Sequence, residues 1–478
     1  MTSILIDGAW ICSDGTASPG GVLVQGKRIG AVAFTAEDRA GLRARAEQVL
    51  DASGHWLIPG MIDAHAHAYG TLLRGTENSL PLELWALHTM LYGRAYDDQT
   101  LRAAILLGAA ERIRGGITGM VDHAPMLHLA ETALAAHESS GLRVAYATLL
   151  HDVSDYDLLG LSLPETLQPL IGGPPALDAA GYASRFAAIV QGAAAGSGRV
   201  SAQLGPNAPQ RCSPQAWALW RSLRGRHGVA VHTHLLETRL QASPHARWPD
   251  GLVREMQRQG MLDGPLTCAH GVWLSEAEME ILARHDVTLS HNPATNLMLG
   301  SGVMRFRSCT ACGLRLALGN DAANTGGRAD HFAGMRLAMS LPRPDGADFA
   351  LWPKPSEVFT AATEAGAAAL GLKGSLGRIA AGQFADLVLV RSGTAGTLAA
   401  RPALDVLVQH GGPEHVDSVM VDGRWVMREG HILAFDEAAI LADAQAQSIA
   451  LQQRAAPDLA VLLAAMPGIA ARFPRGCS

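Results

Sequence analysis

Eight short apolar runs, each followed by a longer stretch rich in Ala, Leu and Arg, occupy the middle of this chain of 478 residues. Such alternation is typical of parallel strand–helix units. Eight units spread over about 260 residues have the number and size of a (β/α)8 barrel. The predicted strands are residues 57–64, 117–122, 143–149, 200–204, 229–234, 266–270, 287–291 and 315–319.

A doubly wound open sheet also alternates strands and helices. Such a sheet normally carries a glycine-rich phosphate-binding turn after its first strand. Here the first predicted strand instead runs into the sequence His-Ala-His-Ala-Tyr at residues 65–69. We therefore predict an α/β fold of the (β/α)8 barrel type.

The segments on either side of the predicted barrel have a different pattern. Both contain short alternating runs separated by glycine turns, as hairpins do. Neither segment has enough strands to bury a face alone, so we expect the two to pair into one small β-sandwich. The predicted domains are a composite β-sandwich of residues 1–56 and 373–435, a barrel of residues 57–372 and a helical tail of residues 436–478.

Composition and charge exclude several kinds of partner. The net charge of −6 offers no basic excess for nucleic acid, and no apolar run is long enough to span a membrane. The first residues do not have the pattern of a secretory signal, and six scattered cysteines do not form a disulfide framework. We expect a cytoplasmic protein, and apolar surface on the helical tail would make it a homodimer or larger homo-oligomer.

Histidines and carboxylates recur where the predicted strands end. His65 and His67 close the first strand and point to the same side of it, because side chains alternate along a strand. The carboxyl ends of barrel strands meet at one face, so these groups should converge. Neutral imidazoles and a carboxylate around an open position are what a hydrolytic zinc or iron site requires. The other strand ends supply His232, His234, Glu237, His270, His291 and Asp321.

Five motifs in this order resemble the amidohydrolase superfamily. The similarity is closest to the branch that contains methylthioadenosine/S-adenosylhomocysteine deaminases, guanine and cytosine deaminases and triazine hydrolases. A further stretch, residues 377–388, resembles the family's return into its β-sandwich. The motifs are LIPGMIDAHAH (57–67), HTHLLET (232–238), AHG (269–271), SHNPATNLMLGSG (290–302) and LGND (318–321).

The resemblance implies a metal site and its ligands. His65, His67, His234 and Asp321 would bind one divalent metal ion, zinc or iron. The family pattern His-x-x-Glu selects His234 over His232, which would then lie behind the ligands or in the core.

The resemblance also implies catalytic and substrate-binding roles. Glu237 would pass a proton to a ring nitrogen of the substrate, while His270 and Asp321 would orient and deprotonate the attacking water. His291 would lie near the developing oxyanion or the ring. Trp85 could cover a flat heterocycle, and His123 could reach the pocket.

The lysine count bears on the number of metal ions. Binuclear relatives commonly bridge two ions with a carboxylated lysine on a barrel strand. This chain has no lysine between Lys27 and Lys354, so the barrel strands cannot supply one. We therefore expect a mononuclear site.

The expected activity is hydrolytic deamination of an N-heterocycle, such as a purine, pyrimidine, pterin or s-triazine. Two alternatives stay open at this point. One is hydrolysis without deamination, at a C–N amide or urea bond or at a ring C–Cl bond. The other is a catalytically inactive barrel that acts as an assembly scaffold.

Overall fold

The computed structural model describes most of the chain. Residues 474–478 of the predicted helical tail, including Cys477, lie outside the described residues. So do residues 1, 2, 14, 15 and 399–403 of the predicted β-sandwich. The described ranges are 3–13, 16–158, 163–171, 177–243, 245–343, 348–398 and 404–473.

The N-terminal segment forms strands of a mixed sheet. The hairpin of the first two strands pairs antiparallel, with Ile6 opposite Val22. Thr35 begins the one helix of this segment by accepting the Asp38 N–H on its side chain. The elements are β1 (Ser3–Ser13), β2 (Thr16–Gln25), β3 (Arg28–Ala33), α1 (Ala36–Arg45), β4 (Gln48–Asp51) and β5 (His55–Pro59).

The barrel sheet follows, and within the described chain it consists of nine parallel segments. They are β6 (Met61–His67), β7 (Ile117–Ala124), β8 (Arg143–Leu150), β9 (Val200–Pro206), β10 (Val231–Leu235), β11 (Leu266–His270), β12 (Val287–His291), β13 (Arg315–Leu318) and β14 (Asp321–Ala322). The last two are the halves of an eighth strand that Gly319 and Asn320 interrupt. Asp321 pairs with Ala66 of β6, which closes the ring and confirms the predicted barrel.

Helices connect the barrel strands. Their ends carry the expected caps: Asp97 accepts the Thr100 N–H, and Ser275 forms a capping box with Glu278. The helices are α2 (Leu82–Arg94), α3 (Asp98–Arg114), α4 (Ala130–Ser140), α5 (Asp155–Leu158), α6 (Gln168–Ile171), α7 (Ala179–Ala195), α8 (Pro214–His227), α9 (Leu252–Arg258), α10 (Glu276–Ala283), α11 (Pro293–Met298), α12 (Phe306–Ala311), α13 (His331–Ser340), α14 (Pro355–Ala362) and α15 (Glu364–Ala369).

The C-terminal strands complete the mixed sheet. β15 (Leu387–Arg391) pairs antiparallel with β5, and β16 (Val416–Val421), β17 (Arg424–Arg428) and β18 (His431–Ile432) extend the sheet beyond it. The two ends of the chain thus form one small β domain, as predicted. All of its described strands except β4 follow one hydrogen-bonded path, and β4 pairs with β1 beside that path. Helix α16 (Leu404–His410) lies between β15 and β16 in the chain.

The first predicted barrel strand, residues 57–64, is two strands in the structure. Residues 57–59 belong to β5 in the mixed sheet, and the barrel strand begins only at Met61. A Cβ at Gly60 would lie 2.0 Å from Thr118 Oγ1, so the crossing between the two sheets requires glycine there. The apolar runs on both sides merge in the sequence, which hides this break. The domain boundaries at residues 57 and 373 stay predictions. The strand pairing supports Gly60, three residues later, as the boundary between the β domain and the start of the barrel.

The tail forms helix α17 (Glu437–Ala470), which packs against α2 and α3. Leu462 of this helix is fully buried in a cluster with Leu84 and Leu87 of α2. None of the helices in the described ranges combines the length and the apolar character that crossing a membrane requires.

Candidate metal centre

Strand ends deliver the predicted ligands to one end of the barrel. β6 carries His65 and His67, β10 carries His234, and β14 begins with Asp321. Asp321 has a φ of +62°, and His270 at the end of β11 has a φ of +73°. Such conformations cost about 1–3 kcal/mol in non-glycine residues and are typical of functional sites.

The metal-binding atoms of these residues face one another. The Nε2 atoms of His67 and His234 are 3.2 Å apart. The Nε2 atoms of His65 and His67 each lie 3.4 Å from Asp321 Oδ1. His65 is fully buried, and its Nε2 has no hydrogen-bond partner among the described residues. Three imidazole nitrogens and one carboxylate oxygen therefore converge on one point.

The Nδ1 atom of each imidazole contacts a neighbouring group of the protein. His67 Nδ1 donates to the His123 carbonyl at 2.6 Å, and His234 Nδ1 donates to the Asn207 carbonyl at 2.5 Å. These bonds place the proton on Nδ1 and leave the Nε2 lone pair free for a metal. His65 Nδ1 contacts His232 Nε2 at 2.8 Å.

Burial favours the neutral form of the His65 and His234 imidazoles. Burial, with His67 and His270 nearby, holds the pKa of His65 well below its ordinary value. The pKa of His234 is also held well below its ordinary value, first by burial and then by His123 and the other imidazoles. Neutral imidazole is the form that binds metal, so His65 and His234 need no deprotonation near pH 7 to serve as ligands.

The donor set fits a divalent metal ion. Ligand atoms of His65, His67, His123 and His234 lie within 4.8 Å of one another, and His65 forms a second such group with His270 and Asp321. The imidazoles of His65, His67 and His234 and the carboxylate of Asp321, together with one open coordination position, match the requirement of a hydrolytic zinc or iron site. The buried, unpaired Nε2 of His65 supports the same assignment, because a buried lone pair without a partner is costly.

Two predicted catalytic residues lie beside the ligands. Glu237 is 3% exposed, and its Oε2 is 3.5 Å from His270 Nε2. His270 Nε2 is also 3.7 Å from Asp321 Oδ2, while its Nδ1 contacts Asn296 Oδ1 at 2.9 Å. Ser301 donates its hydroxyl to Glu237 Oε1 at 3.4 Å. A buried carboxylate and an imidazole thus flank the Asp321 carboxylate.

The remaining predicted histidines are placed differently. His232 stands behind His65, and His123 donates Nε2–H to the Gly205 carbonyl at 3.2 Å. His291 is 2% exposed at the end of β12, and burial together with His270 lowers its pKa to about 4. Among the described residues, neither His123 nor His291 lines the cavity next to the centre.

That cavity has a volume of about 190 Å³ and opens beside the centre. His67, His234 and Glu237 form part of its wall, and Trp85 of α2 lines the same cavity. The role of Trp85 as an aromatic cover stays a prediction. Trp85 is 8% exposed. A cavity with an aromatic face and a few polar groups suits a flat, polar ring.

Several residues of the site are not apparent from the sequence. Glu83 and Gln210 line the cavity, and Asn207 orients His234 through its main chain. Asn207 lies just beyond the end of the fourth predicted strand, and this position could have identified it as a site residue. A main-chain carbonyl, however, carries no residue-type signal, and neither Glu83 nor Gln210 lies in a recognisable motif.

Known proteins have sequences similar to that of this chain. The sequence pattern of the amidohydrolase family matches residues 56–426. The chain is 30% identical over 452 residues to the 5'-deoxyadenosine deaminase of Methanothermobacter thermautotrophicus, which covers 94% of this chain and 99% of that protein. It is 32% identical over 407 residues to the 5-methylthioadenosine/S-adenosylhomocysteine deaminase of Desulforudis audaxviator, covering 84% and 88%.

The fold is also that of a solved structure. An adenosine deaminase from Xanthomonas campestris with bound zinc superposes with a TM-score of 0.84 at 24% identity, over 95% of this chain and 99% of that one. The family pattern covers well over half of the chain, and the curated relatives match along almost their whole length. This chain therefore belongs to the amidohydrolase family.

Proposed function

We propose that this chain is a metal-dependent aminohydrolase that removes an exocyclic amino group from an N-heterocycle. Water supplies the oxygen that replaces the amino group, and ammonia leaves. The convergence of three imidazoles and Asp321 beside Glu237, at the wall of a cavity, carries this proposal. Relatives named as deaminases of adenosine-type compounds support an aminated purine nucleoside as the substrate class.

We assign the metal ligands to His65, His67, His234 and Asp321, with one ion per chain. Zinc is the ion we expect, and iron would fit the same donors. When bound, a divalent ion activates water for attack near neutral pH. The main-chain carbonyls behind His67 and His234 keep both rings in the orientation that binding needs.

Three residues carry out the proton transfers of the proposed reaction. Glu237 gives a proton to the ring nitrogen next to the reacting carbon, which makes that carbon a better electrophile. His270 and Asp321 orient the attacking water and accept its proton. Asn296 holds His270 by its Nδ1, so that Nε2 faces Asp321 and Glu237.

Trp85 is the substrate contact that the cavity supports best. Its ring lines the cavity next to His67 and His234, where it can lie over a planar base. Contact of His123 and His291 with the substrate stays a prediction.

A screen of aminated heterocycles with ammonia detection tests the proposal. We expect ammonia from at least one aminated purine nucleoside, and none after chelation of the metal. If the product is instead an amine, an acid or chloride, the reaction is hydrolysis without deamination. Protein purified without chelators that holds no metal would indicate an inactive scaffold.

The cytoplasmic location and the homo-oligomeric state stay predictions. Exposed apolar side chains on α17, namely Leu441 and Ile449, support a homodimer or larger homo-oligomer. Light scattering of the purified protein tests this directly.

A further inference from the structure

A buried carboxamide without partners lies at the cavity wall. Gln210 belongs to a 3-10 helix of one turn, Pro209–Arg211, that follows β9, and the residue is 3% exposed. It lines the cavity beside Asn207 and His234. Within the described chain, neither its Oε1 nor its Nε2 has a hydrogen-bond partner.

Leaving both amide atoms unpaired is costly. A buried donor or acceptor without a partner destabilises the folded protein, so native proteins rarely leave both atoms of one amide unpaired. Gln241, which lines the same cavity, shows the ordinary arrangement, since its Oε1 accepts the Glu237 N–H at 2.9 Å. Trp85 adds a second unpaired group to this wall, because its Nε1–H also has no partner among the described residues.

The turn that carries Gln210 is firmly held. Trp217 Nε1 donates to the Pro209 carbonyl at 3.1 Å, and the Asp152 and Val153 N–H groups donate to the Arg211 carbonyl at 3.2 and 3.0 Å. The Asn207 carbonyl, three residues earlier, accepts from His234 Nδ1. The main chain that carries Gln210 is therefore held in place relative to the candidate metal centre.

We propose that Gln210 is a specificity-determining residue, whose carboxamide binds an adjacent donor and acceptor on the part of the substrate that does not react. This inference rests on the proposed deaminase function. An amide presents one donor and one acceptor side by side. Two parts of a nucleoside offer the complementary pair: the vicinal hydroxyls of the sugar, and a ring edge that bears an amino group next to a ring nitrogen.

Substrate analogues separate these two sources. We would compare kcat/KM for adenosine, 2',3'-dideoxyadenosine, adenine and 2,6-diaminopurine riboside in the metal-loaded wild type and in Gln210→Leu. If the sugar hydroxyls bind Gln210, the wild type prefers adenosine to the dideoxy analogue, and Gln210→Leu abolishes that preference. If the ring edge binds, Gln210→Leu abolishes a preference for the 2-amino compound. A loss of about 10- to 100-fold on the preferred analogue is expected for removal of such a buried pair.

Gln203→Leu is the matched control. Gln203 is also 3% exposed, but it does not line this cavity, and its Nε2 donates to the Ala369 carbonyl at 2.7 Å. We expect this variant to keep the analogue preferences of the wild type. Gln210→Met, which keeps the side-chain length, replaces Gln210→Leu if the leucine variant does not fold.

Failure of the inference is distinguishable from failure of the proposed function. Equal loss on all four analogues in Gln210→Leu, with ammonia release by the wild type intact, would overturn the role of Gln210 alone. If the wild type releases no ammonia from any analogue, the proposed function fails, and calorimetric binding of the same analogues then tests Gln210. Binding that Gln210→Leu leaves unchanged, or no binding at all, would overturn the inference as well.

Discussion

Each imidazole of the metal centre owes its orientation to the group behind it. His67 and His234 donate Nδ1–H to main-chain carbonyls of neighbouring strand ends, and these acceptors cannot be removed by a side-chain substitution. His65 instead contacts the His232 ring. Glu237 lies beside this centre, and its proposed role requires a carboxyl group that can carry a proton.

We expect Glu237→Gln to abolish turnover while keeping the metal. The amide fills the same space but cannot carry the proton to the ring nitrogen, and loss of such a group costs about 10²–10⁴-fold in rate. Ammonia release and metal content are the two measurements. Unchanged turnover by a variant that holds its full metal content would refute the proposed proton transfer.

At the scale of elements, the buried carboxylate of Asp63 joins the first barrel strand to α3 and to the eighth strand. Asp63 of β6 accepts the Arg112 Nε–H on its Oδ2 at 3.0 Å, and Nη2 of the same arginine, which belongs to α3, also lies 3.0 Å from that oxygen. Its Oδ1 accepts the Asn320 N–H at 2.8 Å, at the interruption between β13 and β14. Asn320 immediately precedes Asp321, whose backbone is left-handed. Asp63 therefore holds the strand end from which Asp321 projects.

Asp63→Asn should destabilise the barrel and weaken metal binding together. Removal of one charge leaves the Arg112 guanidinium buried without its partner, which costs about 3–5 kcal/mol. Chemical denaturation and a metal competition assay measure the two effects. Asp250→Asn is the control, because its pair with Arg258 is about half exposed and should change neither quantity. Equal effects in both variants would contradict the role of Asp63.

Helix α17 supports the helix that carries Trp85. Leu462 is fully buried against α2, while its neighbour Leu463 is 60% exposed. Leu462→Ala should lower the free energy of unfolding by about 2–5 kcal/mol because of the cavity it leaves. It should also raise KM more than it lowers kcat, since Trp85 of α2 lines the substrate cavity.

Leu463→Ala is the adjacent control for that substitution and should leave both stability and KM close to those of the wild type. If the two alanine variants have the same stability and KM, α17 does not support α2 in the way described.

At the scale of the whole molecule, the order of strands and the chemistry at their ends could be predicted from the sequence. Apolar runs identify the barrel strands, and strand direction brings His65, His234 and Asp321 to one end. The crossing at Gly60 was hidden because the apolar runs on its two sides merge. Gln210 was hidden because its burial depends on how the turn after β9 packs against other parts of the chain.

The buried histidines make the free energy of unfolding depend on pH. The contribution of His291 to this dependence can be measured separately. Burial and the nearby His270 lower its pKa from 6.5 to about 4. Between these values the unfolded chain binds a proton that the folded protein does not. The contribution of His291 is therefore complete above pH 6.5 and is lost as the pH falls towards 4, by about 3 kcal/mol in total.

The His291→Asn variant tests this pH dependence. Urea denaturation of wild type and variant at pH 7 and pH 5 measures it, and the other titrating groups cancel in the comparison. We expect the wild type to lose more stability than the variant between these two pH values. Equal losses would show that His291 does not stay neutral in the folded protein.

Zinc titration of chelator-treated protein, with ammonia release from an aminated purine nucleoside as the readout, tests the central claim most directly. That claim is that one metal ion, held by His65, His67, His234 and Asp321, works with Glu237 to deaminate the substrate. We predict no release without metal, a rise in proportion to added zinc, and a plateau at one ion per chain. Release that persists in metal-free protein, or that keeps rising to two ions per chain, would contradict it.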